Sequence, residues 1–179
     1  MTYISNIRTI TPENLKNNTE KKVFEMLNNI HIPYSCVTND AVDTMEECED
    51  INKVLDVEIR KSIFLCNKKK TSFFLIVLPA NKSLDVTSLE KKIGVSKLSF
   101  APSESMYELL GAYPGSASVM GLINDKEDYV QLIIDKEVAE EKYFGCNAGI
   151  NTTHLKIETK YLLNIILPKI HHKAKIISL

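Results

Sequence analysis

The chain has 179 residues, enough for one domain with its own core and too few to suggest two. Hydrophobic residues make up 44% and charged residues 25%, the balance of an ordinary globular domain, and no apolar run approaches the ~20 residues of a membrane span. A formal net charge of -1 excludes a generally basic nucleic-acid coat. The opening segment MTYISNIRTITPENLKNN lacks a basic stretch followed by an apolar core, so a cytoplasmic, signal-free protein is expected. Cys36, Cys48, Cys66 and Cys146 are widely spaced with no C-x-x-C pair, which argues for reduced thiols rather than zinc or a disulfide scaffold.

In chain order, Thr11-Pro12-Glu13 predicts a helix start, with proline at the first helical position. Val23, Phe24, Leu27 and Ile30 fall on one helical face. Pro33 to Thr38 reads as a short strand. Thr44-Met45-Glu46-Glu47 fits a capping box opening a helix to about Leu55. Arg60–Cys66 and Thr71–Leu78 flank a polar turn, Asn67–Lys70, and predict a hairpin. Residues 86–93 form a helix stopped at Gly94, and Ser103 caps another that stops at Gly111. Ser118–Ile123 and Tyr129–Ile134 read as strands joined by the charged turn Asp125–Asp128. Further strands are expected at Lys142–Cys146 and Thr153–Ile157, a helix at Lys160–Leu167 ending before Pro168, and a strand at Lys173–Ile177. The sum is one mixed α/β (α+β) domain over residues 1–179, an antiparallel-rich sheet or barrel with surrounding helices.

Two polar islands stand out. The first is Leu110 to Asp125, LGAYPGSASVMGLIND, where Gly111, Pro114, Gly115 and Gly121 indicate a turn, a close approach or a ligand cradle. Spacing alone favours a helix cap at Gly111, a turn at Pro114-Gly115 and a strand bulged at Gly121. The second is Gly145 to His154, with Asn147, Asn151, Thr152 and Thr153 as neutral hydrogen-bonding groups. In isolation it reads as a turn rich in turn-formers. Lys61 should share a face with Ile63 and Leu65. Either it points into a cavity toward an anion or, as spacing alone favours, it sits at a strand end and snorkels to water.

Several chemistries are set aside. His31, His154, His171 and His172 contain no His-x-x-x-His pair, and the last two read as a solvated basic tail. Ser116 lies in Pro-Gly-Ser-Ala-Ser, not in a G-x-S-x-G elbow. Cys146 with His154 as base has only adjacency in its favour. Gly111–Gly115 lacks the Lys-Ser/Thr of a P-loop.

The order and spacing of these islands resemble one family. They run from Ile32-Pro-Tyr-Ser and Asp43-Thr-Met-Glu-Glu through Lys61-Ser-Ile-Phe-Leu-Cys, Lys97-Leu-Ser-Phe-Ala and the Leu110–Asp125 segment to Gly145–Thr152 and Leu155-Lys-Ile. The pattern is similar to the freestanding prolyl-tRNA editing proteins (ProX/PrdX type) of the YbaK-like deacylase superfamily, over most of the chain. The resemblance implies hydrolysis of a mischarged aminoacyl-tRNA, with alanine on proline tRNA as the expected substrate and no metal or organic cofactor. The implied partner is the 3′ acceptor end of tRNA(Pro), with room for a transient contact with prolyl-tRNA synthetase and none with a membrane. Lys61, Gly115, Ser116 and Asn151 are the implied catalytic positions. Gly111, Pro114, Ala117, Ser118, Asn147 and Thr152 are the implied substrate-binding ones. Lys61 would hold the ribose or phosphate end, and backbone N–H groups of Gly115, Ser116 and Ala117 would face the developing oxyanion. Three positions depart from the family pattern. Asn147-Ala148 stands where a His-Pro pair is common, Val119 where the glycine loop often ends in proline, and His154 where a small hydroxyl residue is usual. The alternatives are a weakened member that senses aminoacyl-tRNA or an amino acid, and a deacylase of serine or cysteine.

Overall fold

The structure, a computed structural model, describes residues 3–179. The first helix, α1, is Asn18–Asn29 and starts later than Thr11-Pro12-Glu13 predicts. Asn17 wins the start because its side chain accepts the Glu20 N–H at 2.7 Å. The nearly fully buried Glu20 carboxylate accepts the Lys16 N–H at 2.6 Å and the Thr153 hydroxyl at 2.6 Å, so its charge is not left unpartnered. Thr11 lies instead in an irregular arm, bonded to Asn28 and Tyr34.

After β1 (Ser35–Thr38), the capping box forms reciprocally. The Glu47 N–H donates to Thr44 Oγ1 at 3.2 Å, and the Thr44 N–H donates to Glu47 Oε2 at 3.0 Å. It closes a turn, and α2 itself is Glu49–Leu55. The hairpin matches its prediction, β2 (Lys61–Cys66) pairing antiparallel with β3 (Phe73–Leu78). Helix α3 (Val86–Ile93) stops at Gly94, and a two-residue strand, β4 (Ser99–Phe100), leads to α4 (Ser103–Leu110). Ser103 is the first helical residue there, not the cap.

The next segment overturns the strand expected at Ser118–Ile123. Val119–Asn124 is a 3-10 helix, capped by Ser118 Oγ, which accepts the Met120 N–H at 3.2 Å. The coil presses against α4 so closely that a Cβ on Gly121 would lie 2.7 Å from the Leu110 carbonyl oxygen. Gly121 therefore serves a close approach and not a bulge. Asp125 leaves the expected solvated turn as well: it is buried and accepts the Tyr129 and Val130 N–H groups at 3.1 and 2.7 Å.

Strand β5 (Val130–Asp135) runs into a short helix, α5 (Lys136–Glu140), that the pattern did not announce. β6 (Tyr143–Asn147) and β7 (Thr153–Glu158) follow. The final helix does not end before Pro168. Thr159–Tyr161, Leu162–Ile166 and Leu167–Lys169 join as one helix, α6, with a widened middle turn in which the Leu167 N–H reaches back to the Leu162 carbonyl. The five-residue bonding shifts the ladder just ahead of a proline that has no N–H to give. His172 is not solvated. It is buried before β8 (Ala174–Ile177), its Nδ1 2.8 Å from the Ile170 carbonyl and its Nε2 3.1 Å from Asp125 Oδ2.

The strands form two sheets and do not close into a barrel. One has the order β4-β2-β3-β5-β8, antiparallel at β4-β2-β3 and parallel at β3-β5-β8; the other is the antiparallel β1-β7-β6. A parallel bridge between Ile59 and Gly145 joins them just before β2. The main core fills the space between the sheets: Phe64, Leu75 and Leu132 from the first, Cys36, Phe144 and Leu155 from the second, closed by α1, the 3-10 segment and α6. The far face of the larger sheet carries a second cluster under Leu89 of α3, and α2 covers the smaller sheet through Ile51 and Leu55. The site lies where β2, the glycine loop and the end of β6 meet.

Candidate active site

A cleft of about 450 Å³ opens at that junction, a size suited to a small ligand. Lys61, Pro114, Gly115, Ala117 and Asn147 all line it, so one concavity gathers residues from both polar islands and from the hairpin. Gly111, Ser116, Ser118, Asn151 and Thr152 do not line it. Gly111 is the cap of α4, packed against Thr19 and Asn124. The Ser116 hydroxyl is spent inside the loop, accepting the Tyr113 N–H at 3.0 Å and donating to the Tyr113 carbonyl at 2.8 Å. Ser118 donates to the Asn147 carbonyl at 2.8 Å besides capping its own turn. Thr152 Oγ1 is buried with no partner among the described residues. Asn151 reaches the cleft indirectly, donating to Asp43 Oδ1 at 2.8 Å, and Asp43 does line it.

The glycine loop is shaped by its backbone. Gly115 has φ +88°, the left-handed region that favours glycine, and a Cβ there would press on the Asp43 carboxylate at 2.9 Å. The Ser116 N–H is bonded to the Tyr113 carbonyl at 2.9 Å. The Gly115 and Ala117 N–H groups have no acceptor among the described residues. Two donors with no protein acceptor, both on residues that line the cleft, suit a negatively charged oxygen.

Lys61 shares a face with Ile63 and Leu65, as alternation requires, and that face abuts the α3 cluster. Its ammonium meets no anion among the described residues: Nζ of the half-buried side chain donates to the Lys82 carbonyl at 2.8 Å. Two of its three N–H bonds remain for a ligand. Its neighbour Arg60 is buried and held by Glu58 at 2.6 Å and Glu141 at 2.5 Å, so its charge is already matched.

Asn147 knits the two islands together. Its Nδ2 donates to the Ser116 carbonyl at 3.3 Å and its Oδ1 accepts the Gly149 N–H at 2.9 Å. His154 is its register partner across β6 and β7. Directly opposed residues share a sheet face, so the imidazole stands beside Asn147 and also lines the cleft. Asn39 fixes its tautomer. The Asn39 amide donates to the Asp40 and Asn151 carbonyls, so its Oδ1 must accept, 2.9 Å from His154 Nδ1. Nδ1 thus carries the proton and Nε2 offers a lone pair. Burial pushes the His154 pKa down to about 4, which keeps the ring neutral at physiological pH.

Cys146 faces the other way. It pairs with Leu155, sits in the main core, and burial pushes its thiol up to about 12. Thiol and imidazole lie on opposite faces of the sheet, which removes the Cys-His pairing. Asp43, Phe100 and Met106 line the cleft without having been singled out for it by the sequence pattern, and His154, weighed only as a base for Cys146 and as a departure from the family pattern, lines it too. For His154 the signal was available: the β6–β7 hairpin register sets it opposite Asn147.

Residues 39–165 match the family model described as the aminoacyl-tRNA editing domain. The chain belongs to this family. Members of the editing family that resemble it include the prolyl-tRNA editing protein ProX of Acetoanaerobium sticklandii, 27% identical over 147 residues, 82% of this chain and 90% of that protein. A prolyl-tRNA synthetase associated domain-containing protein 1 of Danio rerio is 25% identical over 88% of this chain and 86% of its own length. Among solved structures, one described as a candidate trans-editing enzyme for prolyl-tRNA synthetase superposes with TM-score 0.67 at 17% identity, covering 92% of this chain and 98% of that one, which shows a shared fold. As a member of the aminoacyl-tRNA editing family, the chain is an aminoacyl-tRNA deacylase, a hydrolase that cleaves an ester. No helix of the described residues is long and apolar enough to cross a membrane.

Proposed function

We propose that residues 1–179 act as one editing unit that removes alanine from mischarged tRNA(Pro) in trans. The observation that carries this reading is the pair of unpaired N–H groups, Gly115 and Ala117, on the wall of a cleft that also holds Lys61. The names of the relatives favour proline tRNA and a prolyl-tRNA synthetase context. In this reading the terminal ribose enters beside Lys61, whose ammonium turns from the Lys82 carbonyl to the ribose or phosphate oxygens. Asp43, whose carboxylate lies beside Gly115, accepts the α-ammonium of the amino acid. Water adds to the ester carbonyl carbon, the carbonyl oxygen becomes the oxyanion, and the Gly115 and Ala117 N–H groups bond it. One proton of the water passes to the free ribose hydroxyl, whose own proton moves on to the leaving ribose oxygen as the ester bond breaks. The neutral His154 Nε2 is an acceptor for the water or the ammonium. Asn151 holds Asp43 in place. A close fit at Gly115 and Ala117 admits alanine and excludes larger side chains, since exclusion by size is the selectivity an editing pocket manages best.

One observation favours a second reading. The Asn147 side chain is held by Ser116 and Gly149 and offers a ligand only one remaining amide N–H and no titratable group, as in a protein that binds an aminoacyl-tRNA without turning it over. Purified tRNA(Pro) carrying alanine, serine, cysteine or proline separates the possibilities. Release of alanine alone supports the proposal, release of serine or cysteine in preference to alanine redirects the specificity, and tight binding with no release selects the sensor.

A further inference from the structure

Three exposed aromatic side chains belong to residues that line the cleft or directly adjoin lining residues in the chain. Phe100 lines the cleft and is 78% exposed. Tyr107 follows the lining residue Met106 on α4 and is 54% exposed, and Tyr113 precedes the lining residue Pro114 and is 63% exposed. The two tyrosine rings stand 5.2 Å apart, tilted by 31°. Both present most of their ring surface to solvent, and neither hydroxyl bonds to another of the described residues.

We propose that Tyr107, Tyr113 and Phe100 form a stacking platform for the unpaired nucleotides that precede the terminal adenosine of the aminoacyl-tRNA. The inference rests on the reading of the cleft as the ester-hydrolysing site. If the ester carbon sits at Gly115, the single strand that carries it leaves through the mouth where these rings stand. Charge argues for the same partner chemistry. With 22 basic and 23 acidic residues the chain has no excess of cations to grip a phosphate backbone, so affinity for an RNA end has to come from elsewhere. Base stacking on aromatic rings is the sequence-tolerant contact that does not need charge. A planar side chain is the requirement, which separates this role from simple packing between α4 and the glycine loop.

The test uses Tyr107→Leu with Tyr113→Leu, which keeps an apolar contact but removes the planes, and Tyr107→Phe with Tyr113→Phe, which keeps both. The first readout is fluorescence anisotropy of a labelled, uncharged heptaribonucleotide ending in CCA. The platform predicts that the leucine pair weakens binding about tenfold or more, that the phenylalanine pair binds like wild type, and that the salt dependence of binding is shallow. The second readout is steady-state hydrolysis of Ala-tRNA(Pro), where the leucine pair should raise KM by a similar factor with kcat nearly unchanged. Equal affinity of wild type and the leucine pair for the oligonucleotide, or no binding by wild type, overturns the platform. The binding arm needs no turnover. A wild type that binds the oligonucleotide through these rings yet hydrolyses nothing retains the platform and removes the deacylase reading of the cleft.

Discussion

His154 shows what one side chain contributes twice. Its neutrality makes Nε2 an acceptor in the cleft, and the same neutrality ties stability to pH. The unfolded chain takes up a proton near pH 6.5 that the fold refuses until about pH 4, so stability falls as pH drops through that window. A depression of that size corresponds to about 3 kcal/mol. His154→Gln should therefore flatten the loss of stability between pH 6.5 and 4, measured as urea midpoints against pH; an unchanged acid limb would mean that the ring is charged in the fold. At this scale the sequence was only partly legible. Spacing alone favoured a solvent-facing Lys61 and a plain turn at Gly115; the resemblance to the editing family singled both out, and both line the cleft. The commitments of Ser116 to Tyr113 and of Asn147 to Ser116 and Gly149 depend on loop geometry that no spacing encodes.

Among the elements, the local signals that held were those with a built-in partner. The Thr44–Glu47 box, the β2–β3 hairpin and the stops at Gly94 and Gly111 each satisfy backbone groups within a few residues. Those that failed were decided by tertiary contact. Ser118–Ile123 is apolar enough for a strand, but Ser118 caps it, Asn147 takes the Ser118 hydroxyl bond, and the segment coils against Leu110. The Thr11-Pro12 start lost to Asn17 because Glu20 is needed by Thr153 in β7. The close approach at Gly121 gives a direct check. Gly121→Ala places a methyl group 2.7 Å from the Leu110 carbonyl oxygen and should cost about 1–3 kcal/mol. The urea midpoint should fall with the slope unchanged. A neutral substitution would show that the 3-10 segment does not lie against α4 as described.

For the molecule as a whole, the class of fold was legible from the mixture of hairpins and helices, while its division into two sheets was not. How the two sheets meet depends on the Ile59–Gly145 bridge and on a shared core, contacts between residues far apart in the chain. That core also encloses chemistry. All four cysteines are free and buried, with burial pushing Cys36 and Cys48 to about 11 and Cys146 to about 12. A thiol reagent at pH 8 should label none of them rapidly in the native protein and all four in urea. Rapid labelling of a single thiol would reveal local opening of the core that holds it.

The central claim is that the cleft bounded by Lys61 and the Gly115–Ala117 donors hydrolyses the mischarged ester. The measurement that addresses it most directly is single-turnover hydrolysis of Ala-tRNA(Pro), with Pro-tRNA(Pro) as control, by wild type and by Lys61→Ala shown to be folded by circular dichroism. The account predicts release of alanine by wild type, sparing of the prolyl ester, and a loss of roughly 10- to 100-fold in rate for Lys61→Ala, the range expected for a charge-assisted hydrogen bond to the substrate. Equal rates for the two proteins would contradict it and place the reaction elsewhere on the molecule.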